Sequence, residues 1–306
     1  MRKKLTKLTK KINLKKILLA ALILVLVIII ISIAVGFILL KPLRREVTQT
    51  PAADLNYDNI EFTARDDELL LKGWYFPGGD NCRETTIIMA HGYGNNRLQD
   101  GIALDLTEVY LEEGYTVLLF DFRASGESEG DLCTIGRLET KDLLGAVDFA
   151  AERGDNHSIV LHGFSMGAAT AIVAGAKDSR IQAVIADSPF ADLKDYLQEN
   201  LPYWTKLPAV PFNWTTLNLM SGLTEFDPEA VKPREAVREY DIPLLLIHGD
   251  MDRAVPIAES RKILAETPGD LAELKVFPGV DHVESFPVGE EYYVSFIMDF
   301  LQRSLE

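Results

Sequence analysis

The sequence predicts an α/β fold, with a mostly parallel eight-stranded sheet flanked by helices and one transmembrane helix near the N-terminus. Short apolar runs of strand length alternate with segments of helical length and period over most of the chain, and this alternation implies a parallel sheet covered by helices. One long uncharged segment precedes them. With 47% hydrophobic and 25% charged residues, the chain can bury a sizeable core.

The uncharged segment covers residues 17–40 and is interrupted only by Ser32 and Gly36. At ~1.5 Å per residue, a helix of this length reaches about 36 Å, which exceeds the ~30 Å of hydrocarbon in a bilayer. The alternatives are a core helix, which would rarely lack a polar face, and a cleaved signal peptide, whose apolar region usually has ~7–15 residues. The segment is therefore predicted to be an uncleaved membrane anchor.

Charge is distributed unevenly along the chain. Residues 1–45 hold eleven of the 31 Lys and Arg residues and none of the 46 acids, so the remaining 20 bases leave the body near −26. Eight bases precede the apolar segment and three follow it closely, so the positive-inside rule places the N-terminus in the cytoplasm and the body outside the cell membrane. A body this acidic lacks the clustered bases that nucleic-acid binding requires.

The chain divides into four predicted parts. They are a basic cytoplasmic tail (1–16), the transmembrane helix (17–40), a polar linker (41–56) and one globular domain (57–306). The strands predicted within the domain are Tyr57–Ala64, Leu69–Phe76, Thr85–Ala90, Thr116–Phe120, Ser158–Leu161, Ile181–Ala186, Pro243–Ile247 and Leu274–Phe277. The last six are short and apolar enough to be buried on both faces of a sheet.

An insertion at about 188–240 interrupts the alternation of strands and helices. Its aromatic residues lie among prolines and include Tyr203, Trp204, Phe212, Trp214 and Phe226. Because the insertion follows the carboxyl end of a strand, we expect a small cap over the ligand crevice. The aromatic residues could line a lid or only form the insertion's own core, and both interpretations stay open.

The segment Gly163-Phe164-Ser165-Met166-Gly167 is a G-x-S-x-G motif between a predicted strand and a predicted helix of small residues. In this context the turn is so tight that the flanking positions tolerate little beyond glycine, and the serine is raised above the sheet. The positive end of the following helix favours negative charge at the serine oxygen. A serine hydroxyl is nevertheless a poor nucleophile by itself, so a base must lie nearby.

Five motifs, in order, make residues 57–306 resemble the α/β-hydrolase superfamily, and bacterial members of the serine aminopeptidase-like and acyl-hydrolase-like kind look most similar. The motifs are HGYG (91–94), DFRASGES (121–128), GFSMG (163–167), HGDMDRAVP (248–256) and GVDH (279–282). The resemblance implies a triad in the chain order Ser, acid, His. Here these residues are Ser165 as nucleophile, Asp252 as acid and His282 as base.

Other residues compete for the roles of base and acid. The remaining histidines are His91, His157, His162 and His248; only His282 lies in a loop after the last predicted strand. For the acid, Asp250 lies two residues before Asp252, and Asp187 follows the strand at 181–186. The resemblance of residues 252–256 to D-x-x-V-P selects Asp252, and Asp187 remains the alternative.

The resemblance also implies an oxyanion hole made by the backbone N–H groups of Tyr93 and Met166. No metal or organic cofactor is expected; Cys82 and Cys133 match no zinc or redox motif and could pair or remain free. The predicted function is a membrane-anchored serine hydrolase that cleaves an ester, thioester or amide in a small-molecule or acyl substrate. The alternatives are an acyltransferase that uses the same acyl-enzyme and a non-catalytic surface binding module.

Overall fold

The computed structural model describes residues 14–79, 82–153 and 158–305. Residues 1–13 of the predicted basic tail and the alternative base His157 therefore lie outside the described residues. Within the described ranges the strands are β1 (Asp58–Thr63), β2 (Leu70–Phe76), β3 (Thr85–Ala90), β4 (Thr116–Phe120), β5 (Ser158–Phe164), β6 (Ile181–Asp187), β7 (Leu244–Gly249) and β8 (Ala272–Phe277).

Helices alternate with these strands. They are α1 (Leu14–Leu40), α2 (Ile102–Glu112), α3 (Glu139–Glu152), α4 (Met166–Gly175), α5 (Leu193–Thr205), α6 (Ala209–Leu223), α7 (Pro233–Ala236), α8 (Ala258–Glu266), α9 (Ser285–Val288) and α10 (Glu290–Leu305).

The strands of the described chain form one eight-stranded sheet in the order β1-β2-β4-β3-β5-β6-β7-β8. Strand β2 is antiparallel to both its neighbours, and the pairs from β4 to β8 are parallel. The predicted α/β-hydrolase architecture is therefore confirmed. The central strands β3, β4 and β7 are buried along their whole length, which is why they read as unbroken apolar runs in the sequence.

Hydrophobic cores lie on both faces of the sheet. Helices α3, α4 and α8 contribute to one core, and helices α2 and α10 contribute to the other. In α4 the small residues Ala168 and Ala171 are fully buried against the sheet, so this helix lies close to the strands on either side of the G-x-S-x-G turn.

A third apolar cluster joins the insertion to the N-terminal helix. Leu40, the last residue of α1, is buried there with residues of α5 and α6, such as Leu197, Leu217 and Met220. Most of α1 is exposed, and its most apolar 18-residue window has a mean hydropathy of 3.5 with 6% of its residues buried. This helix is long and apolar enough to cross a membrane.

Candidate active site

Ser165 occupies the turn between β5 and α4, with φ +53° and ψ −113°, a strained backbone conformation for a residue with a side chain. A Cβ built on Gly163 would lie 2.3 Å from the Gly167 carbonyl oxygen, and one built on Gly167 would lie 2.0 Å from the Ala90 carbonyl oxygen. The two glycines are therefore required by close backbone packing. The Ser165 N–H donates to the Asp187 carbonyl at 2.8 Å, which fixes the turn to β6.

The structure brings together the three side chains that the sequence predicts as a triad. His282 Nε2 lies 2.9 Å from Ser165 Oγ, and His282 Nδ1 lies 2.6 Å from Asp252 Oδ2. Because a carboxylate only accepts hydrogen bonds, Nδ1 carries the proton and donates to Asp252. Nε2 is then free to accept the Ser165 hydroxyl proton.

Asp252 is held in its ionised form. Burial acts to raise its pKa, but hydrogen bonds from His248 and His282 outweigh that effect and lower the pKa to about 2. Asp252 Oδ1 accepts the backbone N–H groups of Ala254 and Val255 at 2.9 and 2.7 Å. The carboxylate therefore presents Oδ2 to His282 in a fixed orientation.

His91 has a structural role in the loop after β3. Its Nε2 accepts the Phe122 N–H at 3.0 Å, so Nδ1 carries the proton and donates to the Gly92 carbonyl at 2.8 Å. Burial lowers the pKa of His91. The histidine therefore stays neutral and links the loops that follow β3 and β4.

The other described histidines outside the triad, His162 and His248, also have hydrogen-bond partners. His162 lies between the hydroxyls of Tyr110 and Tyr293, at 2.8 and 2.9 Å, and burial lowers its pKa to about 3. His248 Nδ1 lies 2.7 Å from Ser260 Oγ, and its Nε2 donates to the Val255 carbonyl at 2.8 Å and lies 3.3 Å from Asp252 Oδ2. His248 is thus a second partner of the acid, whereas the sequence analysis named it only as a competitor for the role of base.

The competing carboxylates have other hydrogen-bond partners. Asp250 Oδ1 accepts the Gly279 N–H at 2.6 Å and closes a turn. Asp187 is buried at the end of β6, where Oδ1 accepts the Ser188 hydroxyl at 2.8 Å. Burial raises the pKa of Asp187 to about 6, although the hydrogen bond from Ser188 opposes the rise. The carboxylate bonded to His282 is that of Asp252.

The loop after β3 lies against the nucleophile. A Cβ built on Gly92 would lie 3.5 Å from Ser165 Cβ, and the Gly92 N–H donates to Gln99 Oε1 at 2.7 Å. Tyr93 follows in this loop. Met166 is the first residue of α4, so its N–H has no acceptor within the helix.

A buried ion pair fixes the same loop to the end of β4. The Arg97 side chain donates to Asp121 Oδ2 through Nε at 3.0 Å and Nη2 at 2.5 Å, and its backbone N–H donates to Oδ1 at 2.7 Å. Gly126 has a φ of +44°, and a Cβ there would lie 2.1 Å from Asp121 Oδ2. The DFRASGES segment therefore has a structural role through Asp121.

A cavity of about 680 Å³ opens beside Ser165 and His282. Residues from the loop after β3, from α4, from the insertion and from α1 line it, including Tyr93, Met166, Leu201, Trp204, Leu217, Met220, Gly36, Leu39 and Leu40. Tyr93 also donates its hydroxyl to the Leu39 carbonyl at 2.5 Å. Of the insertion's aromatic residues, Trp204 lines the cavity, and Phe226 both lines the cavity and belongs to the third apolar cluster. Trp214 has neither of the two roles that the sequence left open, because it is exposed.

Within the described residues, no group of three or more His, Cys, Asp or Glu side chains could hold a metal ion. Both cysteines are free: Cys82 is exposed and Cys133 is buried. The Cys133 thiol donates to Met166 Sδ at 3.6 Å, and burial raises its pKa well above the ordinary value.

The fold and this site define a serine hydrolase of the α/β-hydrolase type. The family model of the prolyl oligopeptidase family matches residues 103–306, and the chain belongs to that family. Among its relatives, the uncharacterized protein YfhR of Escherichia coli strain K12 is 30% identical over 258 residues, which cover 80% of this chain and 81% of that protein.

Two further comparisons relate the chain to proteins of stated activity. The crystal structure of the esterase Pf2001 of Pyrococcus furiosus superposes with a TM-score of 0.72 and 29% identity, covering 88% of this chain and 99% of that one. The polyketide transferase af380 of Aspergillus fumigatus is 33% identical over 146 residues, or 45% of this chain and 47% of that protein.

Sequence reasoning missed two parts of the site. His248 contacts Asp252 from within the HGDMDRAVP motif, between the end of β7 and the loop after it, and no sequence pattern indicates that contact. Gly36 and Leu40 reach the cavity wall from α1. The only sequence signal for that contact is the pair of small residues, Ser32 and Gly36, one helical turn apart within an otherwise apolar segment.

Proposed function

We propose that this chain is a membrane-anchored serine hydrolase that cleaves an ester, thioester or amide through an acyl-enzyme on Ser165. The observation that carries the proposal is the hydrogen-bonded series from Ser165 through His282 to the ionised Asp252, beside a large cavity. Each side chain has the tautomer or charge that its role requires.

In the first half of the reaction, Ser165 Oγ attacks the substrate carbonyl carbon while His282 Nε2 takes its proton. The bond to the leaving group breaks, and the leaving alcohol, thiol or amine receives that proton from His282. In the second half, water loses a proton to His282 and attacks the acyl-enzyme, which releases the acid and restores the Ser165 hydroxyl. Asp252 stabilises the imidazolium in both halves and stays ionised because its pKa is low.

Backbone N–H groups stabilise the oxyanion in this mechanism. We assign them to Met166 at the start of α4 and to Tyr93 in the loop beside Ser165, in agreement with the positions that the fold implies. Both are preorganised, since α4 packs on the sheet and the ion pair of Arg97 and Asp121 fixes the loop.

The anchoring part of the proposal rests on α1 and its flanking charges. A helix of 27 residues extends over about 40 Å. The excess of Lys and Arg before its apolar part favours a cytoplasmic N-terminus and a hydrolase domain outside the cell. A sodium carbonate wash of membranes tests the anchor, because a spanning helix keeps the full 34.1 kDa chain in the pellet. Release of a shortened chain into the supernatant would show that the helix is a cleaved signal.

Esters are the first substrate class to test, since the chain is similar to the Pf2001 esterase along most of its length. Full-length protein in detergent should hydrolyse p-nitrophenyl butyrate, and Ser165→Ala should lower kcat by at least about 10³-fold, since the residual rate comes only from binding and the oxyanion hole. Equal rates for the two proteins, both folded by circular dichroism, would contradict the proposal.

Acyl transfer is a second candidate, favoured by the similarity to the polyketide transferase af380. A transferase would resolve the same acyl-enzyme with an alcohol or amine in place of water. Product analysis of ester cleavage at increasing glycerol concentrations distinguishes a hydrolase from a transferase. A hydrolase yields mainly free acid at all concentrations, whereas a transferase yields mainly the glycerol ester.

A further inference from the structure

Helix α6 of the insertion packs along the membrane-helix candidate α1. Ser32, Gly36 and Leu40 lie four residues apart on one face of α1 and are its buried residues. Ser32 Oγ lies 2.6 Å from Thr215 Oγ1 of α6. A Cβ built on Gly36 would lie 2.2 Å from Met220 Cγ, so the small residue permits this close approach.

The contact extends well into the apolar segment of α1. Ser32 lies eight residues before Leu40, the last residue of the helix, which corresponds to about 12 Å along its axis. Half of a bilayer's hydrocarbon core is about 15 Å thick. If α1 spans a membrane, the part of α6 around Thr215 therefore lies at the depth of the acyl chains.

The composition of α6 suits such a location. Its 15 residues, Ala209–Leu223, include no charged side chain. Large apolar side chains point away from the protein, with Val210 85% exposed and Trp214 68% exposed. Exposed apolar residues on an uncharged helix, beside a membrane span, indicate contact with lipid.

The catalytic cavity reaches this same pair of helices. Gly36 and Leu39 of α1 and Leu217 and Met220 of α6 line it together with Ser165. Apart from Thr216, the part of the wall that these two helices contribute is therefore apolar. An extended acyl chain fits this path, because its tail would lie among these residues while its carbonyl meets Ser165.

We propose that α6 lies in the outer leaflet beside α1, and that the site takes its substrate, the acyl ester of a membrane lipid, directly from that leaflet. This inference rests on the proposed function. Ser165 Oγ forms the bond to the acyl carbon, the lipid alcohol leaves with the proton from His282, and water then releases the free fatty acid.

The first experiment measures where α6 lies, independently of catalysis. Full-length protein is reconstituted into phosphatidylcholine vesicles with brominated acyl chains, which quench nearby tryptophan fluorescence. Trp214→Phe should remove at least half of the quenched signal, whereas the control Trp74→Phe, at a residue 4% exposed, should keep it. The same quenching in wild type and Trp214→Phe would overturn the inference.

The second experiment compares two substrates in the same full-length proteins. Trp214→Asp should lower oleate release from monooleoylglycerol in phosphatidylcholine vesicles at least tenfold, and should leave p-nitrophenyl acetate hydrolysis within twofold of wild type. The control Val288→Asp, at a residue 65% exposed on α9, should leave both rates unchanged. The inference would be overturned if Trp214→Asp released oleate at the wild-type rate, or if its rates on both substrates fell by the same factor.

Failure of the proposed function is distinguishable from these outcomes. If Ser165 is not the nucleophile, acetate hydrolysis survives Ser165→Ala. If α1 is not an anchor, wild-type protein does not float with the vesicles. The lipid inference alone fails when both of those controls behave as proposed and Trp214 nevertheless has no effect.

Discussion

Two buried carboxylates near the nucleophile differ in what surrounds them. Asp252 accepts two backbone N–H groups and lies beside two histidines, so its pKa falls to about 2. Asp187 accepts the Ser188 hydroxyl and is fully buried, and this burial outweighs the nearby histidines and hydroxyls and raises its pKa to about 6. At neutral pH, Asp252 is thus the better stabiliser of a positively charged His282.

Replacing each carboxylate by its amide separates their roles. In Asp252→Asn the amide oxygen stays on the N–H groups of Ala254 and Val255, so the amide nitrogen faces His282 and imposes the wrong tautomer. We expect kcat to fall about 10⁴-fold, as for this substitution in serine proteases. Asp187→Asn should change kcat less than about tenfold. Steady-state kinetics on p-nitrophenyl butyrate measure kcat for both variants. A larger loss of kcat in Asp187→Asn than in Asp252→Asn would show that Asp187 is the acid of the triad.

Asp187 also predicts a pH dependence of stability. Its folded pKa of about 6 lies above the ordinary 3.8, so its contribution is complete below pH 4 and is lost as the pH rises to about 6. The loss amounts to about 3 kcal/mol at neutral pH. Denaturant unfolding in detergent measures this loss. The free energy of unfolding of Asp187→Asn, relative to that of wild type, should therefore be higher at pH 7 than at pH 4. The same difference in unfolding free energy between variant and wild type at pH 4 and pH 7 would contradict a raised pKa for Asp187.

At the scale of elements, the nucleophile depends on how closely β5 and α4 approach each other. Gly163→Ala would place a Cβ 2.3 Å from the Gly167 carbonyl oxygen, whereas a Cβ on Gly222 in α6 meets nothing within 4 Å. We expect Gly163→Ala to lower stability by about 1–3 kcal/mol and to lower kcat, because Ser165 moves. Gly222→Ala should leave thermal unfolding and activity unchanged; equal behaviour of the two variants would show that the turn is not tightly packed.

The loops at the carboxyl ends of β3 and β4 depend on one ion pair. The side chains of Arg97 and Asp121 are 1% and 0% exposed, whereas those of the pair Arg45 and Asp100 are 55% and 64% exposed. Asp121→Asn leaves the buried guanidinium of Arg97 with only the exposed carboxylate of Glu127, 2.7 Å away, as a charge partner, and should cost up to about 3–5 kcal/mol. Asp100→Asn should cost less than about 1 kcal/mol. Denaturant unfolding measures both, and similar values would argue against a structural role for Asp121.

At the scale of the whole molecule, the features that could be predicted from the sequence are those that depend on residues close together in the chain. Five of the six short strands are buried almost throughout and were evident because parallel strands covered on both faces are continuously apolar. The prediction of burial on both faces was wrong for β8, which lies at the edge of the sheet and is mostly only partly buried. The turn at Ser165 was evident because two glycines flank it. The contact of α1 with α6 was not evident, since it joins residues 183 positions apart. The partnership of His248 with Asp252 depends on a loop conformation that the sequence pattern does not specify.

The central claim is that Ser165 forms a covalent bond with substrate, and a fluorophosphonate tests it most directly. Full-length protein in detergent is treated with the reagent and digested, and the modified peptide is identified by mass spectrometry. The account predicts one adduct, on Ser165, that is absent from Ser165→Ala and strongly reduced in Asp252→Asn. An adduct on another serine, or none at all on folded wild-type protein that turns over an ester, would contradict it.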